Sequence, residues 1–243
     1  MKKLCKLILL VSLVMVSGTA FSEMQTLRTA DNQMFKAYVA GPEDAKKGVL
    51  LIHGWFGLNK GVKAWADNMS KLDGHRVMAI DVFNEKLADN PKDAQALVAE
   101  VKQDEANAKY RAALQSLEAT DRKLAVIGKS YGGAQALYAT LSAPQLVSAT
   151  VSYYPFGKIP SGKETLMQLS GPVLIEAADK DFAFTPDKAE AFKKAMDEAD
   201  RELILNVYQA GHGFDQAISK NYDEDVKYAA DKSTRDFLTN HLK

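Results

Sequence analysis

The sequence predicts an α/β domain in which helices cover both faces of a mostly parallel central sheet. Short apolar runs alternate with longer segments of helical periodicity along most of the chain. The runs at residues 48–52 and 124–127 are continuously apolar, which is typical of strands buried on both faces. Strands separated by helices of this length pair in parallel. Because the chain shows no internal repeat and no low-complexity linker, we expect residues 23–243 to form one domain.

The predicted strands and helices follow one another in a regular order. An alternating pattern and several apolar runs predict strands at residues 34–40, 48–52, 76–82, 124–127, 148–153, 172–176 and 202–208. Amphipathic spacing predicts helices at residues 60–72, 92–117, 131–141, 186–199 and 233–242. In such sheets ligands bind beyond the carboxyl ends of the strands. The polar residues that follow each apolar run are therefore the candidates for a functional site.

Residues 1–22 have the composition of a secretory signal peptide. Three lysines precede an apolar run at residues 7–16, and small residues follow as far as Ser22. The apolar run is shorter than the roughly 20 residues that span a bilayer, which disfavours a retained membrane helix. An uncleaved N-terminal anchor is the alternative. We expect a periplasmic or secreted protein with no stable membrane insertion after cleavage.

Composition excludes several classes of function. The single cysteine, Cys5, lies in the predicted leader, so the rest of the chain has no disulfide and no cysteine nucleophile. Basic and acidic side chains are equal in number, at 31 each, and no Lys/Arg block of the kind that binds phosphate backbones occurs, so we expect no nucleic-acid partner. No His/Cys/Asp cluster indicates a metal site, and no cofactor is expected. The sequence does not set the oligomeric state.

The sharpest functional signal is the segment Gly128-Lys129-Ser130-Tyr131-Gly132, which lies between a predicted strand and a predicted helix. A Gly-x-Ser-x-Gly sequence in this position is typical of a nucleophile elbow, a tight turn that lifts a serine hydroxyl above the sheet. Glycine is needed at Gly128 and Gly132 because the two backbones approach too closely for a β-carbon. The helix N-terminus offers free amides to a developing oxyanion. Ser130 is therefore the predicted nucleophile.

His212 is the predicted general base. A serine hydroxyl needs a base that accepts its proton, and the chain contains four histidines. His212 lies in a glycine-flanked loop after the last predicted strand, which suits the chain order serine, acid, histidine. His75 and His241 are expected at the surface. His53 is expected to have a structural role in the loop after the second predicted strand.

The carboxylate that orients the imidazole is expected in the loop after the sixth predicted strand. Asp179 and Asp181 both follow that strand, and Asp179 is favoured because it leaves the strand first. Asp181 is the alternative. Glu176 is expected to lie inside the strand and is a weaker candidate.

Backbone amides and aromatic side chains complete the predicted site. The amides of Tyr131 and Trp55 form the predicted oxyanion hole, since one follows the nucleophile and the other lies in the loop after the second predicted strand. Aromatic residues near the ends of the predicted strands are the predicted walls of the substrate pocket, with core packing as the alternative for each. They are Trp55, Phe56, Tyr131, Tyr153, Tyr154, Phe156 and Phe214.

The chain resembles the dienelactone hydrolase family of α/β-hydrolases from about Lys36 to its end. The resemblance rests on the elbow, on the Ala-Ala-Asp-Lys-Asp segment with its downstream proline, and on three further segments. These are residues 56–59 (Phe-Gly-Leu-Asn), 81–83 (Asp-Val-Phe) and 210–214 (Ala-Gly-His-Gly-Phe). The resemblance implies an α/β-hydrolase fold and an activity on ester bonds.

Two features depart from the enzymes of this family that cleave dienelactone. Those enzymes have a cysteine in the elbow, where this chain has Ser130, and a glutamate in the loop after the second strand, where this chain has Gly54. The arginines with which the family contacts a lactone carboxylate have no clear counterpart between Phe83 and Lys109. The resemblance therefore implies a serine-type branch that acts on esters.

The sequence thus predicts a serine hydrolase that cleaves small carboxylic ester or lactone-like substrates through a Ser-His-Asp triad and an acyl-enzyme. A peptidase, a thioesterase or an acetyl-polysaccharide esterase is an alternative, because one fold and one triad serve many substrates. A non-catalytic binding protein that retains the fold is a second alternative. Labelling of the elbow serine by a fluorophosphonate distinguishes an enzyme from a binding protein.

Overall fold

Eight strands form one central sheet in the computed structural model, which describes residues 22–243. They are β1 (Glu23–Arg28), β2 (Met34–Ala40), β3 (Lys47–Ile52), β4 (Arg76–Ile80), β5 (Lys123–Lys129), β6 (Val147–Tyr153), β7 (Val173–Lys180) and β8 (Leu203–Gly211). Their order across the sheet is β1-β2-β4-β3-β5-β6-β7-β8. The pairs β1–β2 and β2–β4 are antiparallel, and β3 to β8 run parallel to one another.

Helices connect the strands of the described chain. They are α1 (Lys60–Asp73), α2 (Pro91–Glu100), α3 (Gln103–Leu117), α4 (Tyr131–Ser142), α5 (Lys163–Leu166), α6 (Pro186–Glu198) and α7 (Glu224–His241). Local chemistry fixes their ends: the Asn59 side chain accepts the Val62 amide at the start of α1, and Gly74 ends that helix with a φ of 66°.

Several elements differ from the sequence prediction. The periodic segment at residues 92–117 forms two helices, because Val101 and Lys102 between them adopt extended backbone. The terminal helix begins at Glu224 instead of residue 233, with the Asp223 side chain accepting the Val226 amide as its cap. β1 was not predicted from the sequence and pairs with β2 at the edge of the sheet.

The apolar core lies on both faces of the sheet. In β3, Leu50 and Ile52 pack into a cluster with residues of α3 and α4, whereas Val49 and Leu51 pack into a second cluster with residues of α1 and α7. All four side chains are fully buried, and each such burial stabilises the fold by roughly 1.5–3 kcal/mol. Helices therefore cover both faces of a mostly parallel sheet, and the predicted fold class is confirmed.

The parallel strands place their carboxyl ends at one edge of the sheet. The loops after β3, β5, β6, β7 and β8 meet there, so residues distant in the sequence become neighbours. The predicted leader, apart from its last residue, and Cys5 lie outside the described residues. Within residues 22–243 no helix is long and apolar enough to cross a membrane.

Candidate active site

Ser130 lies in a strained turn between β5 and α4. Its φ of 57° and ψ of −120° are outside the regions that ordinary residues favour, and such strain costs on the order of 1–3 kcal/mol. Neighbouring glycines make the turn possible. A β-carbon at Gly128 would overlap the carbonyl of Gly132, and one at Gly132 would meet the carbonyl oxygens of Ile52 and His53. The elbow is therefore locked between β3, β5 and α4.

His212 lies against this serine. Its Nε2 is 2.9 Å from Ser130 Oγ, and the two residues are 82 positions apart in the chain. The loop that carries His212 follows β8, and the Asn221 side chain donates a hydrogen bond to the His212 carbonyl at 2.9 Å. The imidazole is thus held at the distance at which it can accept the serine proton.

Asp181 occupies the other side of the imidazole. Its Oδ2 and Oδ1 lie 2.9 and 3.0 Å from His212 Nδ1, and its side chain is fully buried. Oδ1 also accepts the amides of Ala183 and Phe184 at 2.7 and 3.1 Å, which fixes the carboxylate. A carboxylate here holds the proton on Nδ1, so that Nε2 is left as the acceptor that faces Ser130.

Asp179 does not reach the histidine, which corrects the choice made from the sequence. β7 extends to Lys180, four residues beyond its predicted end, so Asp179 lies within the strand and Asp181 is the first residue after it. The pairing of β7 with β8 shifts register at this point, and Asp179 Oδ1 accepts the Ala210 amide at 3.0 Å. Asp179 therefore stabilises an irregular strand pair.

The amides of Tyr131 and Trp55 lie in the segments expected of an oxyanion hole. Tyr131 is the first residue of α4, directly after Ser130, and Trp55 lies in the loop after β3 that packs on Gly132. Among residues 22–243 neither amide donates a hydrogen bond to a protein acceptor. Both are therefore available to an anionic oxygen above Ser130.

His53 braces the loop after β3 from beneath. Its Nε2 accepts the Val82 amide at 3.1 Å, and its Nδ1 donates to the Gly54 carbonyl at 2.7 Å. Because Nε2 accepts an amide it carries no proton, so the ring is neutral and both contacts are satisfied; burial also lowers the pKa of His53. This is the structural role expected from the sequence. His75, expected at the surface, is instead buried, and burial lowers its pKa too.

Three of the predicted pocket walls belong to the core. Tyr153, Tyr154 and Phe214 are at most 1% exposed and pack into the cluster beside α1 and α7. The Tyr153 hydroxyl bonds to Thr234 at 2.6 Å, which points the ring away from the site. Tyr153 is the last residue of β6, and Tyr154 and Phe214 follow strands in the chain, but all three rings turn inward, so the assignment as substrate contacts is corrected.

Four other aromatic rings stand at the site, and we call them the aromatic rim: Trp55, Phe56, Phe156 and Phe182. The ring centroid of Phe182 lies 4.9 Å from that of His212, and that of Phe156 lies 6.1 Å from it. Trp55 lies 5.6 Å from Phe156 and 5.4 Å from Phe56. Phe182 is 68% exposed and was missed from the sequence, although it directly follows the acid loop's Asp181.

Within the described residues no group of three or more His, Cys, Asp or Glu side chains could hold a metal ion.

A sequence profile described as the dienelactone hydrolase family matches residues 35–242, which is most of the chain. The chain belongs to the dienelactone hydrolase family. As a member of that family it is a hydrolase that acts on ester bonds. The match includes the elbow, the acid loop and the histidine loop that form the site described above.

Two proteins of the genus Aquifex are similar to this member of the family. Protein usf of Aquifex pyrophilus is 26% identical over 201 residues, which cover 79% of this chain and 84% of that protein. A candidate carboxymethylenebutenolidase of Aquifex aeolicus is 25% identical over 205 residues, with the same coverage.

Solved structures of this family share the fold. A dienelactone hydrolase candidate from Klebsiella pneumoniae superposes with a TM-score of 0.80 at 18% identity, covering 91% of this chain and 99% of that one. A dienelactone hydrolase-like promiscuous phosphotriesterase from metagenomic libraries gives a TM-score of 0.76 at 18% identity, covering 90% and 98%. At these identities the likeness establishes the architecture alone.

Proposed function

We propose that this hydrolase cleaves small carboxylic ester or lactone-like substrates with Ser130, His212 and Asp181 as a catalytic triad and an acyl-enzyme as intermediate. The observation that carries the proposal is the continuous chain of contacts from Ser130 Oγ through both nitrogens of His212 to Asp181. A structural serine in a strand-to-helix turn has no need of a buried imidazole–carboxylate pair aimed at its hydroxyl.

The reaction begins when His212 accepts the proton of Ser130 and Oγ attacks the ester carbonyl. Asp181 stabilises the imidazolium that forms, and the amides of Tyr131 and Trp55 stabilise the oxyanion. Each of these two donors lowers the activation free energy by about 3 kcal/mol. His212 then protonates the leaving alcohol as the tetrahedral intermediate collapses to the acyl-enzyme. Water then attacks the acyl carbonyl as His212 accepts its proton. The second tetrahedral intermediate collapses to the free acid as His212 returns that proton to Ser130 Oγ.

The aromatic rim indicates the kind of substrate that the site takes. An exposed phenylalanine beside a reactive histidine offers an apolar contact to a bound ligand. The rings of Phe156 and Phe182 flank His212, where the leaving alcohol is protonated. This arrangement supports esters with an apolar or aromatic portion at the leaving-group side.

A series of p-nitrophenyl esters of increasing acyl length tests the proposal, with Ser130→Ala as the matched control. Turnover that disappears in the variant supports the serine hydrolase mechanism, and the preferred chain length measures the acyl pocket. A thioester and a peptide anilide in the same series separate esterase from thioesterase and peptidase activity. A wild-type protein that hydrolyses none of these and does not react with a fluorophosphonate would be a binding protein, and the proposal would be wrong.

We also propose that the protein acts after export, on the strength of the leader composition at residues 1–22. Expression of the full chain, fractionation of the cells and N-terminal sequencing of the purified protein test this. A mature N-terminus near Glu23 supports export, and a protein that retains Met1 in the cytosolic fraction contradicts it.

A further inference from the structure

A buried ion pair joins the two segments that carry Ser130 and His212. Lys129 immediately precedes the nucleophile, and Asp215 follows the base by three residues. The Lys129 ammonium bonds to Asp215 Oδ2, and the two side chains are 16% and 1% exposed. The mechanism above requires neither a cation nor a second carboxylate at this place. The pair therefore has to be explained by something other than proton transfer.

Aromatic rings fix the lysine end of the pair. Lys129 Nζ lies 3.8 Å from the ring centroid of Trp65 in α1 and 4.9 Å from that of Tyr153 at the end of β6. Such cation–π contacts stabilise an ammonium group that has lost most of its water. Lys129 is thus held against α1 and β6, and Ser130, as the next residue, is held with it.

The aspartate end fixes a ring that packs on the imidazole. The Tyr154 hydroxyl donates to Asp215 Oδ1, and Gln216 Nε2 donates to the tyrosine oxygen at 3.0 Å. The Tyr154 ring lies edge-on to His212 with 4.9 Å between centroids. Tyr154 has a φ of 33°, which a residue with a side chain adopts only where its surroundings impose it. The His212 imidazole therefore packs against the Tyr154 ring, and Asp215 holds that ring through its hydroxyl.

We infer that the Lys129–Asp215 pair positions His212 against Ser130, an inference that rests on the hydrolysis proposed above. The hydrogen bond between Ser130 and His212 is lost and reformed in every turnover, because its proton moves to the imidazole and then to the leaving group. An ion pair between the same two segments keeps Oγ and Nε2 aligned while that hydrogen bond is absent. Misplacement by about 1 Å can lower a rate about 100-fold. Lys129, Asp215 and Tyr154 are positioning residues in this scheme.

A variant that lacks only one of the two charges would leave the other charge buried and unpaired, which destabilises the fold. A loss of activity in such a variant would not distinguish a positioning role from a folding defect. The double variant Lys129→Met/Asp215→Asn avoids this problem because it removes both charges. The methionine substitution keeps an apolar stem beside Trp65, and the asparagine substitution keeps an oxygen that accepts the Tyr154 hydroxyl. The variant therefore lacks the tie between the segments but retains most of the packing.

The experiment compares this variant with the wild-type protein and with Lys193→Met/Asp197→Asn, which removes an exposed ion pair of α6. It measures kcat and KM for p-nitrophenyl acetate, the second-order rate of Ser130 phosphonylation by a fluorophosphonate, and the thermal midpoint. We expect kcat and the phosphonylation rate to fall by about 10-fold or more. KM should stay within about twofold, because the pair is largely buried, with the Lys129 and Asp215 side chains 16% and 1% exposed. The α6 control should match the wild type in every measurement.

A double variant with wild-type kcat and phosphonylation rate overturns the inference, as does a loss confined to KM. If that variant does not fold, Tyr154→Phe decides, because it keeps the ring and removes only the hydroxyl that bonds to Asp215. Its kcat should fall with KM unchanged, and an unaffected kcat overturns the inference. A wild-type protein inactive toward both ester and fluorophosphonate overturns the proposed function and this inference together, whereas an active wild type with an equally active variant overturns the inference alone.

Discussion

Replacement of Asp181 by asparagine tests whether a carboxylate, and not merely a polar group, orients His212. Oδ1 of Asp181 accepts the amides of Ala183 and Phe184, and Oδ2 lies 2.9 Å from His212 Nδ1. An asparagine would turn its carbonyl oxygen toward the two amides, since both are donors. Its NH₂ group would then face Nδ1 and donate a hydrogen bond to it.

Such a donor reverses the tautomer of the imidazole. The proton moves to Nε2, which can then no longer accept the proton of Ser130. In a serine protease triad the same substitution lowers kcat about 10⁴-fold, which is about 5.4 kcal/mol of activation free energy at 1.36 kcal/mol for each factor of ten. We expect Asp181→Asn to lower kcat by about 10²- to 10⁴-fold with little change in KM.

Asp179→Asn is the matched control for this experiment. Asp179 accepts only the Ala210 amide among the hydrogen bonds of the described chain, and an asparagine oxygen can accept the same amide. Its kcat should remain within about threefold of the wild type. The assay is the initial rate of p-nitrophenyl acetate hydrolysis, with circular dichroism to establish folding. The reasoning is refuted if the Asp181 variant keeps most of its activity, or if the Asp179 variant loses as much.

Three further predictions concern packing, specificity and pH. Gly132→Ala should lower the free energy of unfolding, measured in urea, by about 1–3 kcal/mol, because the added β-carbon would meet two backbone carbonyls. For the control Gly61→Ala, within α1, the free energy of unfolding should stay within about 1 kcal/mol of the wild-type value. Phe182→Ala should raise KM for aryl esters roughly 2- to 10-fold without changing the thermal midpoint. Tyr228 is an exposed aromatic residue of α7, and the control Tyr228→Ala should change neither KM nor the thermal midpoint. Because burial lowers the pKa of His75, the unfolded chain binds more protons than the folded protein below about pH 6.5, and the folded protein loses stability there. Between about pH 7 and 5.5 the thermal midpoint of His75→Gln should therefore fall less than that of the wild type. An equal fall in the two proteins would contradict this.

Much of the fold could be predicted because its strands and helices have strong local patterns. The continuous apolar run in β3 and the glycines of the elbow admit few alternatives, and both features lie where they were predicted. β1 was missed because its exposed residues form no apolar run, and only pairing with β2 makes it a strand. The break between α2 and α3 was missed because no glycine or proline marks it.

The choice between the two aspartates shows where local patterns stop. The apolar run that predicts β7 ends near Glu176, but pairing with β8 extends the strand to Lys180. Asp179 is thereby drawn into the sheet, and Asp181 becomes the first residue free to turn toward His212. Strand length here depends on a neighbour in space, which the linear sequence does not show.

The sequence pattern also could not predict whether each aromatic side chain points into the core or toward solvent. Tyr154 and Phe182 each follow a strand at the same edge of the sheet, yet one is buried in the core and the other stands in solvent beside His212. The Tyr154 ring packs against Tyr153 and Phe214 in the core, and its hydroxyl donates to the buried carboxylate of Asp215. Asp215 itself carries no sequence motif that would single it out.

The interlocked glycines of the elbow also determine which parts of this protein can evolve. A backbone without room for a β-carbon tolerates few substitutions, so random libraries over residues 128–133 should return mostly unfolded or inactive clones. The rim loops contact the elbow through their backbones, as where the Phe156 amide donates to the Ser130 carbonyl at 2.9 Å, and a side-chain substitution leaves these backbone contacts in place. Phe182 is mostly in solvent. Selection at Phe56, Phe156 and Phe182 can therefore alter which ester is accepted while Ser130 keeps its geometry. The division between a fixed reactive centre and a variable rim gives one scaffold the capacity to acquire new substrates in single steps.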